Sequence, residues 1–280
     1  MSESNRGGVA VAGVVLLVAA IGGFFYLRQG RDDAAERAPA PPPVVPSAPV
    51  EAEPAVPAHP IEDAIADAPA EPEAPPLPAL GESDPAALEA LLALIGSDTL
   101  PPWLVPEYVI QRTVATIDNL PRAKVPSNVS VVRPTSGALA VEGAGVKRTL
   151  SDANFTRYAP QVAAFENADT ATLVAGYVRH YPLFQQAYRE LGTEGYFNDR
   201  LVAVIDHLLD APAVPAPIEL VRPKVFWEFA DPRLESLSAG HKLMVRLGPD
   251  QASRVKAKLR ELRAGVTGAE LGGEVSSPGP

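Results

Sequence analysis

Three patterns of apolar and polar positions follow one another along this chain. The first is a charge-free run from Val9 to Leu27. A helix of that length, at ~1.5 Å per residue, spans about 28 Å, close to the ~30 Å hydrocarbon core of a bilayer. Only a helix satisfies its own backbone hydrogen bonds in lipid, so the run reads as a transmembrane helix over 9–27 behind a short flank, 1–8. Phe24, Phe25 and Tyr26 close it just before Arg28 and Arg31, where an interfacial belt belongs. The competing reading is a cleaved leader processed at Val18-Ala19-Ala20, and it fits poorly because Ile21 to Leu27 continues the apolar run past that point.

The second pattern has no periodicity. From Ala38 to Pro78 proline recurs at short intervals, including Pro41-Pro42-Pro43 and Pro75-Pro76, and no aromatic residue occurs. Proline removes a backbone donor and fixes φ, so residues 28–82 read as a disordered Pro/Ala/acid-rich linker biased to polyproline II, with His59 solvated within it. The third pattern is periodic. Ser83-Asp84-Pro85 signals a helix start, and Leu88, Leu91, Leu92 and Ile95 share a face up to Gly96. A second helix is expected over 106–119, stopped by Pro121. Further helices are expected over 153–167, 170–191 and 198–209, with a short one near Leu234 and a last one over 250–263. In 170–191 the spacing of Leu173, Tyr177, Tyr181, Phe184, Tyr188 and Leu191 places aromatics on one stripe, read as core, with a kink at Pro182. Alternation at Val129 and Val131 reads as β structure. So do Leu139 to Leu150 about Gly143-Ala144-Gly145, and Ile218 to Phe229. The fold class is therefore mainly α with small β elements, α+β, in one domain over 83–263, followed by a tail over 264–280.

Charge divides along the same boundaries. Of the net −10, residues 1–31 carry +2, residues 32–84 carry −11, and residues 85–280 carry −1. The acidity belongs to the linker, and the balanced domain argues against nucleic acid as a partner. The absence of cysteine excludes disulfides, thiolate metal sites and cysteine nucleophiles.

Three blocks in the domain are distinctive: Thr116 to Arg122, Tyr196 to Leu209, and Leu220 through Phe229-Ala230-Asp231-Pro232 to Ser238-Ala239-Gly240. Together they resemble the bacterial family catalogued as domain of unknown function 3014, over roughly 77–262. The resemblance implies a Gram-negative, membrane-anchored protein and carries over no chemistry.

Asp199, Asp206 and His207, with Asp210 nearby, are the candidates for acid–base catalysis, on one helix at offsets that bring the aspartates near one face. Against that reading, Asp199 suits the start of its helix, and Asp206 and His207 suit structural hydrogen bonds. Asp118, Asn119 and Arg122 read as capping and turn-making residues, or with Arg222 and Lys224 as part of a binding groove. Arg254, Lys256, Lys258 and Arg260, with Arg263, are expected to fan out to solvent from the last helix, where they could meet an anionic surface. His180, His207 and His241 lack metal-ligand spacing, no cofactor motif is present, and Ser238 reads as a helix cap. The expected function is a membrane-anchored envelope protein of the inner membrane. Its domain would lie in the periplasm as a non-enzymatic binding or scaffolding module for an unidentified envelope protein or polymer. The positive-inside count of Arg6 against Arg28, Arg31 and Arg37 opposes that orientation. The alternatives are an envelope hydrolase using the Asp/His face, or a cytoplasm-facing binder of anionic surfaces or nucleic acid.

Overall fold

The computed structural model describes residues 56–65, 76–133, 137–145 and 147–269. The apolar run 9–27, much of the linker, Val146 and residues 270–280 lie outside the described residues. Among those described, no helix is long and apolar enough to cross a membrane.

The domain is mostly helical, with one small antiparallel sheet. Helix α1 (Ile61–Ile65) precedes a 3-10 turn (Leu80–Glu82), α2 (Asp84–Ile95) and α3 (Val109–Asn119). Strands β1 (Val141–Glu142) and β2 (Arg148–Leu150) lead into a 3-10 stretch (Asp152–Arg157), then α4 (Ala159–Asn167), α5 (Thr170–Glu190) and α6 (Phe197–Leu209). Strands β3 (Glu219–Val221) and β4 (Glu228–Phe229) are followed by α7 (Pro232–Glu235), α8 (Ala239–Leu247) and α9 (Pro249–Thr267). The sheet runs in the order β1-β2-β3-β4, with Val141 opposite Leu150, Arg148 opposite Leu220, and Leu220 opposite Phe229. A small second core of Leu139, Leu150, Ile218, Leu220, Phe229 and Val245 joins one face of this sheet to α8.

The main core lies between α3, α5, α6 and α9, and α9 also packs against α4, α8 and α1. The aromatic stripe of α5 is core, as its spacing indicates. Phe184 stacks on Phe197 at 5.8 Å, and Tyr177 and Tyr188 lean on the same pair at 5.5 and 5.6 Å. Leu191 is the exception, exposed beyond the end of the helix. Helix α5 continues through Pro182. Gln185 fixes the turn from α5 to α6, accepting from the Phe197 amide at 2.7 Å and donating to the Gly195 carbonyl at 2.9 Å.

Several expectations are corrected. Val129 and Val131 do not lie in a strand, because their segment bonds mainly to α3 side chains. Arg112 donates to the Asn128 and Ser130 carbonyls, and Thr116 accepts from the Val131 amide. Only an isolated bridge, Leu104 to Val132, is β-like there. The helix expected over 153–167 is split, because Pro160 lacks the amide that would continue it and instead sits in the first turn of α4. The last helix passes Gly265 and ends at Gly268, whose φ of +63° provides the left-handed cap. Gly265 marks a close approach instead, since a Cβ there would lie 2.5 Å from Val174 Cγ2.

The linker reading also changes. Residues 56–65 are docked on the domain, with α1 against α5 and α9, and His59 is half-buried there. Leu80 is buried in the main core. Asp84 makes a further connection that its helix-start signal did not announce. Its carboxylate accepts from the Tyr108 and Val109 amides, both at 2.7 Å, and so caps α3 rather than its own helix.

Phe184→Ala is expected to destabilise the domain by about 3–5 kcal/mol, the usual cost of emptying a large core site. Urea unfolding checks this, and a loss below about 1 kcal/mol would contradict the placement of the aromatic cluster at the centre of the core.

Candidate functional site

Five of the polar residues singled out by the sequence, Asp118, Asn119, Arg122, His207 and Ser238, lie at one place, where the end of α3 meets α6 and the start of α8. Asp118, in the last turn of α3, is only 5% exposed. A buried carboxylate needs cationic partners, and it has two. Its Oδ1 accepts from Arg200 Nε at 2.8 Å and its Oδ2 from Arg122 Nη2 at 2.7 Å, while its backbone carbonyl accepts from Arg200 Nη2 at 2.6 Å. Asn119 donates back to the Ala115 carbonyl at 2.7 Å and closes the helix.

Leu120 and Pro121 then turn the chain so that two carbonyls face the start of α8. Leu120 O accepts from the Gly240 amide at 2.8 Å, and Arg122 O from the Ala239 amide at 2.7 Å. These are among the first amides of a helix, which have no partner within it. Ser238 completes the cap, its Oγ accepting from the His241 amide at 3.1 Å. The seat is close. A Cβ on Gly240 would lie 2.7 Å from Leu208 Cδ2 and 3.2 Å from the Leu120 carbonyl, so glycine is what lets α8 approach the turn.

His207 and His241 complete the junction. Their rings stack at 3.9 Å, His207 Nε2 bonds Ser238 Oγ at 2.7 Å, and His241 Nε2 donates to the His207 carbonyl at 2.5 Å. Burial holds the His207 pKa below its ordinary 6.5. His241 and Arg200 push it the same way, and Asp210 opposes them.

Asp199 and Asp206 do not join His207 in an acid–base set. Asp199 turns to the docked N-terminal segment, accepting from the Ala58 amide at 3.0 Å and the His59 amide at 2.7 Å. Asp206 forms a two-pronged pair with Arg263 at 2.5 and 3.0 Å, and this bond raises the Arg263 pKa. A serine beside a histidine has the composition of a nucleophile and its base. Here, however, the serine oxygen is a helix cap, and the adjacent Ala239 and Gly240 amides are occupied by carbonyls, leaving them unavailable as oxyanion donors. The geometry is that of a structural junction.

The expectation that the cations of the last helix fan out to solvent holds for Arg254 and Arg260, which are exposed, and is corrected for Lys258 and Lys256. Lys258 is 7% exposed, and its ammonium donates to the Ala168 carbonyl at 2.5 Å, Thr170 Oγ1 at 2.7 Å and Glu261 Oε2 at 3.2 Å. Lys256 donates to the Ala211 carbonyl at 2.6 Å, and burial lowers its pKa. Arg254 pairs with Glu166 at 2.6 Å. Arg260 is exposed. Arg222 and Lys224 are far from Asp118 in the connectivity, at the tip of the β3–β4 hairpin. Arg222 lies 5.6 Å from the Trp227 ring centre and donates to the Val225 carbonyl at 2.9 Å. Val225 beside them is 65% exposed and Val221 is also exposed.

Residues 109–263, more than half of the chain, match the family described as Protein of unknown function (DUF3014). The chain belongs to that family. No curated protein and no solved structure matches it. The three blocks that carried the resemblance all fall within the DUF3014 region, and the fold brings them together: Asp118 meets Arg200, Leu120 and Arg122 meet Gly240 and Ala239, and His207 meets Ser238. Arg200, which the sequence reading did not select, belongs to this arrangement. Its signal was available, since it lies in the second block.

Arg200→Ala leaves the buried Asp118 carboxylate with Arg122 as its remaining charged partner, and should cost about 2–3 kcal/mol in chemical denaturation. The depressed His207 pKa predicts a pH effect with a defined sign. The folded state binds fewer protons than the unfolded one, so its contribution is complete above 6.5 and is lost as pH falls from there through the folded value. Thermal unfolding of the DUF3014 protein should show this slope, and His207→Gln should flatten it.

Proposed function

We propose that this DUF3014 protein is a membrane-anchored envelope protein whose helical domain is a non-enzymatic binding or scaffolding module. In this reading residues 9–27 are the membrane span, the Pro/Ala-rich segment after it is the tether, and the domain faces the periplasm. The observation that supports a binding role over catalysis is the use made of the acid–base candidates. Asp199 holds a backbone segment, Asp206 neutralises Arg263, and His207 fixes the Ser238 cap. General acid–base work needs a group free to exchange protons with a substrate in reach, and these three are committed to holding the fold. Lys256 and Lys258 are likewise committed, and Arg254 pairs with Glu166 at the surface. Among the described residues this leaves Arg260 as the exposed cation of that helix without such a partner, which disfavours the helix as a surface for lipid or nucleic acid. The β3–β4 tip, with Arg222, Lys224, Val221 and Val225 turned outward, has the mixture of cationic and aliphatic surface that suits a protein or polymer partner.

A photo-reactive residue placed at Val225 in the full-length chain should give a discrete crosslinked product in intact cells, one that weakens when Arg222 and Lys224 are changed to Glu. Absence of any product from this tip, or from a second probe at Lys224, would remove the hairpin as the contact. Asp206→Asn should lower thermal stability by releasing Arg263. A variant of unchanged stability that lost a hydrolytic activity would instead restore the hydrolase reading.

A further inference from the structure

The docked segment at the N-terminal side of the domain is held in an uncommon way. Most of its polar contacts are made to its backbone. Pro57 has no amide and Pro60 has none, so between them the chain offers two consecutive donors, Ala58 and His59. Both go to the two oxygens of one carboxylate, Asp199. The neighbouring Asn198 completes the reading, donating from Nδ2 to the His59 carbonyl at 2.9 Å. Asn198 is itself immobilised: it is fully buried, its Oδ1 accepts from Tyr177 at 3.2 Å, and its Nδ2 also donates to the Val266 carbonyl at 3.1 Å. The two side chains stand at the start of α6, where an acidic residue is favoured by the positive end of the helix.

Beyond the clamp the contact is apolar and small. Ile61 packs on the main core, Ala64 is buried, and α1 rests on α5 and α9. At its far end it abuts the glycine that closes α9, where a Cβ on Gly268 would lie 2.6 Å from the Asp63 carbonyl. A helix of five residues has no stability of its own, so α1 persists only while it is docked. A segment this short, held by a few hydrogen bonds and, among the described side chains, by Ile61 and Ala64, belongs to the part of a protein that opens first, well before global unfolding.

We infer that Asn198 and Asp199 form a backbone clamp that latches residues 56–65 to the domain and thereby sets where the N-terminal tether ends. With the latch closed, residues 28–55 separate the apolar run from the domain and bridge at most about 87 Å at ~3.1 Å per residue. With it open, residues 56–76 join them, up to Leu77, which packs on the main core, and add about 65 Å at ~3.1 Å per residue. A pull on the N-terminal chain meets the Ala58–Asp199 and His59–Asp199 bonds before it reaches the core. The latch is thus a release point between two reaches of the same protein. The clamp itself stands on the docked segment and not on membrane anchoring, so it can fail or survive independently of that reading.

The test uses the full chain in detergent micelles and a protease that cuts after glutamate, with the cut after Glu62 followed by mass spectrometry. Asp199→Ala and Ile61→Asp attack the latch from opposite sides of the contact, and Asp210→Asn serves as a control. Both latch variants should cut at Glu62 at least tenfold faster than the parent and lose amide-exchange protection at Ala58 and His59. Their thermal midpoints should stay within about 2 °C of the parent, and the control should match it. Unchanged cutting in both latch variants would overturn the clamp. Faster cutting with a midpoint lowered by about 10 °C would also overturn it, because the segment would then be an integral part of the core.

Discussion

The ammonium of Lys258 is the constraint around which the helices are arranged. Burying a lysine is costly unless its charge is met, and here it is met by the Ala168 carbonyl just past α4, by Thr170 and by Glu261. Two other cations of α9 are also held by neighbouring segments. Lys256 meets the carbonyl of Ala211, just past the end of α6, and Arg263 grips Asp206 within α6. Carbonyls at helix ends lack partners and carry the negative pole of the helix, so a lysine is a natural cap for a neighbour. In the position α9 takes, both Lys256 and Lys258 reach carbonyls past the ends of neighbouring helices. Gly265 lets its backbone settle against Val174 in that same position.

Two aspartates play matching parts at the other side of the domain. Asp84 and Asp199 both stand in the first turn of a helix, and both give their carboxylate to the amides of a different segment. One joins α2 to α3, and the other joins the N-terminal segment to α6. Asp118 differs in being buried and paired with arginines, and it ties α3 to α6 through Arg200. Several residues in the blocks that carried the resemblance, Asp118, Asp199, Arg200 and Ser238 among them, thus stand at joints between segments. The interiors of the helices are apolar and interchangeable in kind, whereas a joint needs particular donors and acceptors.

Much of the helical architecture was legible, because 3.6-residue periodicity survives wherever a helix buries one face. The aromatic stripe of α5 shows this, and local signals, the Ser238 cap and Pro85 in the first turn of α2, mark helix starts. Helix α8 was missed beyond its cap because it buries Lys242 and Arg246, which blur the stripe. Lys242 is met by Glu235, and Arg246 lies over the Phe229 ring. The 56–65 segment was missed for a related reason. Its attachment uses backbone amides, and no side-chain pattern announces a backbone bond to a carboxylate far along the chain. The site residues were found by type but misread in role. Sequence spacing placed Asp199, Asp206 and His207 near one another, and partners from distant segments drew them apart.

The central position of α9 bears on how the chain comes to be folded. Helices α4, α5 and α6 find one of their shared walls only when residues 249–267 arrive, after all three have been synthesised. Until then Val174 of α5 and the apolar side chains around it lack part of their cover, so a nascent or truncated chain presents sticky surface to chaperones and proteases. A stop codon anywhere in the last helix would therefore remove the closing piece of the interior, and cellular quality control should treat such a product as unfinished.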